Sequence, residues 1–135
     1  MIKCIGCIIY DRQKDMFLLQ QRSRNTTYPL KWGLWGGKLK SRENFIDALR
    51  RELTEELGCI PDIQELKPLD VYVSNRGDFV YYSFVIVTDG FDNFEVSEPE
   101  TNDYVWLPVE HLLSIDLHPA TRKTLNNKIH ILEKL

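Results

Sequence analysis

The chain has 135 residues, 43% of them hydrophobic and 27% charged, with a formal net charge of −3. That length suits one domain, residues 1–135, with a core that needs no disulfide or metal staples. No apolar run approaches the ~20 residues that span a bilayer, and MIKCIGCIIYD reaches an acid at Asp11 without a small-residue cleavage site. No signal peptide and no membrane partner are therefore expected, and the cytoplasm is the expected compartment.

Ile2 to Tyr10 and Met16 to Gln21 are apolar, β-rich runs separated by the polar DRQKD, which reads as a hairpin or two adjacent strands. Cys4 and Cys7 form a C-x-x-C, but no second pair follows. Residues three apart on a strand point to opposite faces, so the pair reads as two ordinary strand cysteines and not as half of a zinc site. Three cysteines, an odd number, also argue against a disulfide framework. From Arg22 to Lys31 the chain is polar and contains proline, which predicts a loop. WGLWGG follows, with glycines at 33, 36 and 37 where the backbone must turn tightly or approach another group.

Ser41 is the expected N-cap of the next helix. Phe45, Ile46, Leu49, Leu53 and Leu57 recur at helical spacing as one buried stripe, and Gly58 with Pro61 beyond it supplies the stop. Leu69 to Ser74 and Phe79 to Thr88 read as strands joined by the turn NRGD. An acidic loop then leads to a short strand, Tyr104 to Leu107, and a helical turn, Pro108 to Leu113. Leu125, Ile129 and Leu132 mark a C-terminal helix that Pro119 begins. The coarse expectation is α/β, one mixed sheet sandwiched by helices.

The chemistry concentrates in GKLKSRENFIDALRRELTEELGC, residues 37–59. Glu52, Glu55 and Glu56 lie within about a turn and a half of helix, with Glu43 near its start and Arg51 among them. At 100° per residue the three glutamates project from one sector beside the apolar stripe, where burial without a counter-charge is costly. They also fall where the helix dipole disfavours negative charge, by ~0.3–1 kcal/mol each. A solvated, stability-building helix face would carry bases there. Oxygen donors crowded in this way suit a hard divalent cation such as Mg²⁺, which can in turn grip a phosphate chain.

Charge asymmetry fits the same picture. Through Arg51 the chain has eleven Lys or Arg against four Asp or Glu, and afterwards six against sixteen. Six acids and no base lie between Asp89 and Asp103. Binding of a nucleic-acid polymer would favour a basic face of the whole domain. A basic wall and an acidic wall around a small phosphorylated ligand are expected instead.

Gly37, five residues, Glu43, seven residues, then Arg51-Glu52-Leu53-x-Glu55-Glu56-x-Gly58 and the apolar Cys59 resembles the Nudix box in full. LLQQRS before WGLWGG, and DYVWLP followed by HLL, resemble the segments that flank the box in that family. The resemblance implies an α/β/α sandwich with a mixed sheet, in which a loop-helix-loop hydrolyses a nucleoside diphosphate linked to another moiety, an anhydride of phosphorus, with Mg²⁺ or Mn²⁺. It implies metal ligation by Glu52, Glu55, Glu56 and a backbone carbonyl of Gly36 or Gly37, orientation of the glutamates by Arg51, and bracing of the helix by Glu43. A carboxylate would take a proton from the attacking water. Glu52 and Glu55 in the box, or Glu98 or Glu100 in the acidic loop, are the candidates. Two positions depart from the common pattern: Trp35 stands where proline is frequent, and Arg42 where glycine is frequent.

For the substrate, Trp32 and Trp35 are the favoured aromatic platforms for a base because they lead into the box; Tyr28, Tyr82, Tyr104 and Trp106 are also available. Arg22 and Arg24 are candidate phosphate partners. His118 and Thr121 resemble the region that reads the base in small MutT-like members. The expected activity is thus a MutT-like (deoxy)nucleoside triphosphate hydrolase, with ADP-ribose or a nucleotide sugar as the alternative substrate. A non-catalytic nucleotide-sensing module is the alternative of another class; the presence of every box glutamate favours the hydrolase. A monomer or homodimer is expected.

Overall fold

A computed structural model describes residues 1–96 and 101–135. Its elements are β1 (Ile2–Asp11), β2 (Met16–Arg22), β3 (Trp32–Gly33), β4 (Trp35–Lys38), α1 (Phe45–Leu57), β5 (Glu65–Val73), β6 (Phe79–Thr88), β7 (Thr101–Leu107), a 3-10 helix (Val109–Ser114) and α2 (Pro119–Leu132). The strands form one mixed sheet in the order β3-β2-β1-β6-β5, with β4 also paired to β1 and β7 to β2. Only the β1–β6 pairing is parallel among the described strand pairs, and it runs the full length of β1, from Ile2 opposite Phe79 to Asp11 opposite Thr88.

The other edge of β1 is shared. The β1–β2 hairpin pairs only from Asp11/Met16 to Ile9/Leu18, after which the two strands part. Into the gap go two very short strands: β4 pairs with β1 from Cys7/Trp35 to Cys4/Lys38, and β3 pairs with β2 at Gln20/Gly33 and Gln21/Trp32. WGLWGG, whose glycines predicted a tight turn or a close approach, is therefore two strands. Their glycines serve close approach: Gly36 at φ +143° lies so near Ile5 that any Cβ would overlap its carbonyl oxygen. Local pattern cannot reveal such strands, because their partners lie as far away as Cys4 is from Lys38.

Strand alternation divides the apolar residues between two cores. Ile5, Cys7 and Ile9 of β1 pack with Leu18, Trp35 and Ile86 under Ala48, Leu49, Leu53 and Leu57 of α1. Ile8 and Tyr10 point the other way, with Phe17, Leu19, Val85 and Val87, under Leu112 and the α2 residues Leu125 and Leu132. Cys4 and Cys7, three apart, fall on opposite faces as ordinary strand residues and are free thiols.

Helix α1 differs from expectation at its start. Ser41 is not the cap; Asn44 is, its side chain accepting from the Asp47 N–H at 2.8 Å. Arg42 adopts φ 67°, a left-handed turn that separates Ser41 from the helix. Phe45, placed in the buried stripe by spacing, is 37% exposed and packs at the sheet margin on Tyr82 and Phe84. At the other end Gly58, at φ 74°, caps the helix through its N–H to the Thr54 carbonyl. Strand β5 begins at Glu65 instead of Leu69, because its polar first half pairs with Val87 to Phe84 of β6. Strand β7 begins at Thr101 instead of Tyr104, since β2 offers it partners as far as Arg22. Among the described residues no helix is long and apolar enough to cross a membrane.

Candidate active site

The last turn of α1 contains no base, and the carboxylates near it are held by Arg51 of the helix itself and by groups from other elements. Glu52 and Glu56 are buried, at 7% and 3% exposure, whereas Glu55, expected beside them at the edge of the core, is exposed. Glu56 Oε1 accepts the Gly36 N–H at 2.8 Å, and Oε2 accepts from Gln20 Nε2 at 2.8 Å. Gln20 is itself fixed: its Nε2 also donates to the Leu34 carbonyl, and its Oε1 accepts from the Thr101 hydroxyl at 2.6 Å. Glu52 Oε1 accepts from Arg51 Nη1 at 2.8 Å. A Cβ on Gly37 would stand 2.6 Å from that same oxygen, so only glycine lets the backbone lie so close to the carboxylate.

Arg51 gathers the acids. Its Nε and Nη2 donate to the two oxygens of Glu43 at 2.7 and 3.0 Å, Nη2 also reaches the Lys38 carbonyl, and Nη1 lies 3.6 Å from Glu55. The hydrogen bonds from Arg51, with that from the Lys40 N–H, hold the Glu43 carboxyl down at about 2, and the acids in turn raise the Arg51 guanidinium above its ordinary value. Glu43 thus ties the turn before α1 to the helix itself. The mutual repulsion of the acids is answered inside the chain by one guanidinium, a carboxamide and a backbone N–H. Accordingly, among the described residues no three of His, Cys, Asp and Glu close around one point as a metal cage.

The oxygen-only donor set nonetheless fits a hard divalent cation. Glu52, Glu55 and Glu56 share one helix, and the glycines of β4 lie against Glu52 and Glu56. Glu98 and Glu100, the other acidic candidates, lie outside the described residues.

On the opposite face of the sheet a cavity of about 300 Å³ opens between β1, β4, β6 and the start of α2. Arg22, Lys38, Tyr81, His118, Cys4 and the hydroxyls of Thr121 and Thr124 supply its polar lining. Burial, with Arg22 nearby as the lesser cause, lowers the His118 imidazole to about 4, so the ring is neutral at physiological pH. Its Nδ1 caps α2 by accepting the Ala120 N–H, and its ring meets Tyr28 edge-on at 4.7 Å. Burial pushes the Tyr81 hydroxyl far up and keeps it protonated. Strand β4 is the wall common to both regions: Gly37 faces Glu52, and the next side chain, Lys38, lines the cavity, as strand alternation requires.

The sequence-derived substrate residues divide. Arg22, His118 and Thr121 come together at the cavity. Arg24 is exposed and does not line it. Trp35 is fully buried in the α1 core with its indole N–H on the Leu18 carbonyl, and is no platform for a base. Trp32 is half-buried against the α2-side core and is also absent from the cavity lining; its backbone instead bonds Asp116 and His118. Tyr81, Lys38, Gln20 and Thr101 were missed. Gly6, an isolated glycine in an apolar strand, was the available signal for Tyr81, since such a glycine marks the close approach of another group. A Cβ there would overlap the Tyr81 hydroxyl.

The chain matches the NUDIX domain family over residues 2–128. It is 32% identical over 135 residues to the nucleoside triphosphatase NudI of Escherichia coli O139:H28, covering 93% of this chain and 96% of that protein. The solution structure of the E. coli ORF135 protein superposes with a TM-score of 0.74 at 25% identity, over 98% of this chain and 91% of that one. The NUDIX domain of Shewanella oneidensis NrtR, solved with ADP ribose, superposes with a TM-score of 0.72 at 18% identity, over 94% and 87% of the two chains. Members of this family generally use divalent metal cations. The chain belongs to the Nudix family, as one of its pyrophosphohydrolases.

Proposed function

We propose that this protein hydrolyses a (deoxy)nucleoside triphosphate, with residues 1–135 acting as one catalytic unit, the base held in the α2-side cavity and the phosphates led past β4 to the carboxylates of α1. The observation that carries the reading is β4 itself, whose consecutive residues Gly37 and Lys38 face Glu52 and the cavity respectively. A ligand seated in the cavity therefore has a basic side chain at its exit and the acidic cluster directly beyond. The relation to a nucleoside triphosphatase over nearly the whole chain supports the same substrate class. The ADP ribose bound to the NrtR domain belongs to a protein only 18% identical, so that likeness speaks to the fold alone.

Glu52, Glu55 and Glu56, with the Gly36 and Gly37 carbonyls, would hold Mg²⁺. Such a cation neutralises phosphate charge and makes water a better nucleophile near neutral pH. The chain's own groups do the rest. Arg51 and Glu43 fix Glu52, while Gly36 and Gln20 fix Glu56. Glu55, the exposed one of the three, has only Arg51, at 3.6 Å, among the described residues. It is the carboxylate best placed to accept the proton of the attacking water, and solvent can then remove that proton. Water adds to one phosphorus, the bridging P–O bond breaks, and the leaving phosphate departs with the bridging oxygen. Mass-resolved products from a panel of dNTPs, NDP-sugars and ADP-ribose with Mg²⁺ test the reading. Faster release from a sugar diphosphate than from every triphosphate would overturn it.

A further inference from the structure

The cavity has a chemical bias of its own: nearly every polar group in it with a fixed role is a donor. Arg22 is anchored through Nε to the Thr27 carbonyl at 2.8 Å and through Nη2 to the Thr26 and Thr27 hydroxyls at 3.1 and 3.0 Å. None of the described residues accepts from its Nη1, although the side chain lines the cavity. His118 accepts a backbone N–H at Nδ1, at 3.1 Å, which places the proton of the neutral ring on Nε2 and makes that nitrogen a donor. The Tyr81 hydroxyl occupies the space left by the missing side chain of Gly6 and bonds to none of the described residues. Lys38 adds a fourth donor at the rim. No Asp, Glu, Asn or Gln lines the cavity among the described residues. Its remaining polar groups are the Thr121 and Thr124 hydroxyls and the Cys4 thiol, which can adapt to either partner.

Nucleobases differ on this axis. Guanine offers the O6 and N7 acceptors and thymine or uracil the O4 acceptor, whereas adenine and cytosine carry an amino group, N6 or N4, at that same ring position; the N2 amino group of guanine lies on the other edge. Amino groups are read by Asn, Gln, Asp and Glu, and keto oxygens by Arg and Lys. An amino group set against Arg22 and His118 would put donor against donor and leave both unsatisfied in a half-buried site. We propose that the cavity selects keto bases, guanine and thymine or uracil, over adenine and cytosine, with Arg22, Tyr81 and His118 setting the choice. This rests on the placement of the base proposed above. It separates Arg22 from a phosphate-gripping role, which would serve every base equally.

The test measures binding and turnover apart. Titration calorimetry of the whole chain with Mg²⁺ and the non-hydrolysable α,β-methylene analogues of dGTP, dTTP, dATP and dCTP gives the base preference; turnover of the four natural dNTPs is measured in parallel. The keto analogues are expected to bind about tenfold or more tightly than the amino ones. Tyr81→Phe keeps the ring and removes the hydroxyl. Arg22→Gln supplies an amide able to meet an amino group. Each is expected to narrow the keto-to-amino ratio by about threefold or more, with circular dichroism confirming the fold. Equal binding of all four, tighter binding of the amino pair, no binding of any, or variants that weaken all four alike would overturn the proposal. Keto-selective binding without turnover of any triphosphate would uphold it while removing the hydrolytic reading. Unselective turnover of all four would do the reverse.

Discussion

Replacing Gly37 by alanine asks whether the position of one carboxylate carries the chemistry. The backbone at Gly37 lies outside the left-handed region, so alanine meets no conformational penalty there, and the perturbation is steric alone. A Cβ would stand 2.6 Å from Glu52 Oε1, 2.8 Å from its carboxyl carbon and 2.9 Å from Oε2, where ordinary contact begins near 3.4 Å. The difference, about 0.8 Å, is the distance by which the carboxylate must retreat. The displaced group is the end of a flexible side chain, so the stability cost should stay below about 1 kcal/mol. A misplacement near 1 Å in a catalytic constellation can cost about 100-fold in rate. Gly37→Ala should therefore lose about two orders of magnitude in kcat, require more Mg²⁺ for half-maximal activity, and melt within a few degrees of the parent. Steady-state kinetics over a metal titration, with a thermal melt on the same preparation, make the measurement. A variant retaining more than about a third of parental kcat would refute the reasoning, because the 0.8 Å retreat would then have no chemical consequence.

Three further outcomes are expected. Glu56→Gln turns an amide nitrogen toward a position now filled by the Gly36 N–H or by Gln20 Nε2; it should lower kcat at least 100-fold and stability by about 1–3 kcal/mol, and near-parental turnover would remove Glu56 from the working set. Asp11 is buried, which by itself would raise its carboxyl, but bonds from Lys14 and from the N–H groups of Gly90, Phe91 and Gln13 bring it down to about 2. A carboxyl depressed in the folded state stabilises at pH above its unfolded value near 3.8 and loses that contribution as pH falls toward 2, here about 2 kcal/mol. Asp11→Asn should remove this acid limb and lower stability at pH 7 by about 2 kcal/mol; an unchanged melting profile between pH 2 and 5 would contradict it. Arg42→Gly should leave the melting temperature unchanged or raise it, since relief of a left-handed non-glycine residue at φ 67° offsets the added freedom of the unfolded chain. A loss above about 1 kcal/mol would show that the arginine side chain holds the turn.

How far the chain could be read depended on the range of the forces concerned. Helix α1 was legible because its signals are local: apolar residues at helical spacing and Gly58 at a left-handed stop. Its start was misplaced because two capping residues were available, and the one used is decided by Arg42 turning left-handed between Ser41 and Asn44. The box acids were legible as a constellation beside the core, but the exposure of Glu55 was not, nor were the partners of Glu56, since Gln20 and Gly36 arrive from elsewhere in the sheet. Trp35 shows the same limit from the other side. Its place leading into the box suggested a base platform, whereas the parting of β1 and β2 draws that ring into the core, with its N–H on the Leu18 carbonyl. The cavity was the least legible feature, because Arg22, Tyr81 and His118 stand on three elements that only the assembled sheet brings to one place.

The parting of β1 and β2 also explains why one short strand can serve two faces. Were the hairpin paired along its whole length, the edge of β1 from Cys4 to Cys7 would be taken by β2, leaving no place for β4. With that edge available, β4 enters with small residues at the tightest points: Gly36 lies against Ile5 and Gly6, and Gly6 in turn leaves space for the Tyr81 hydroxyl. Because a strand turns successive residues to opposite faces, a tether at Gly37 and one at Lys38 move together. Displacing β4 by one residue would send Lys38 toward Glu52 and a glycine toward the cavity, disrupting the acidic cluster and the basic exit at once. The register of a four-residue strand, set by Cys4 opposite Lys38, is thus the feature on which ligand placement and carboxylate placement jointly depend.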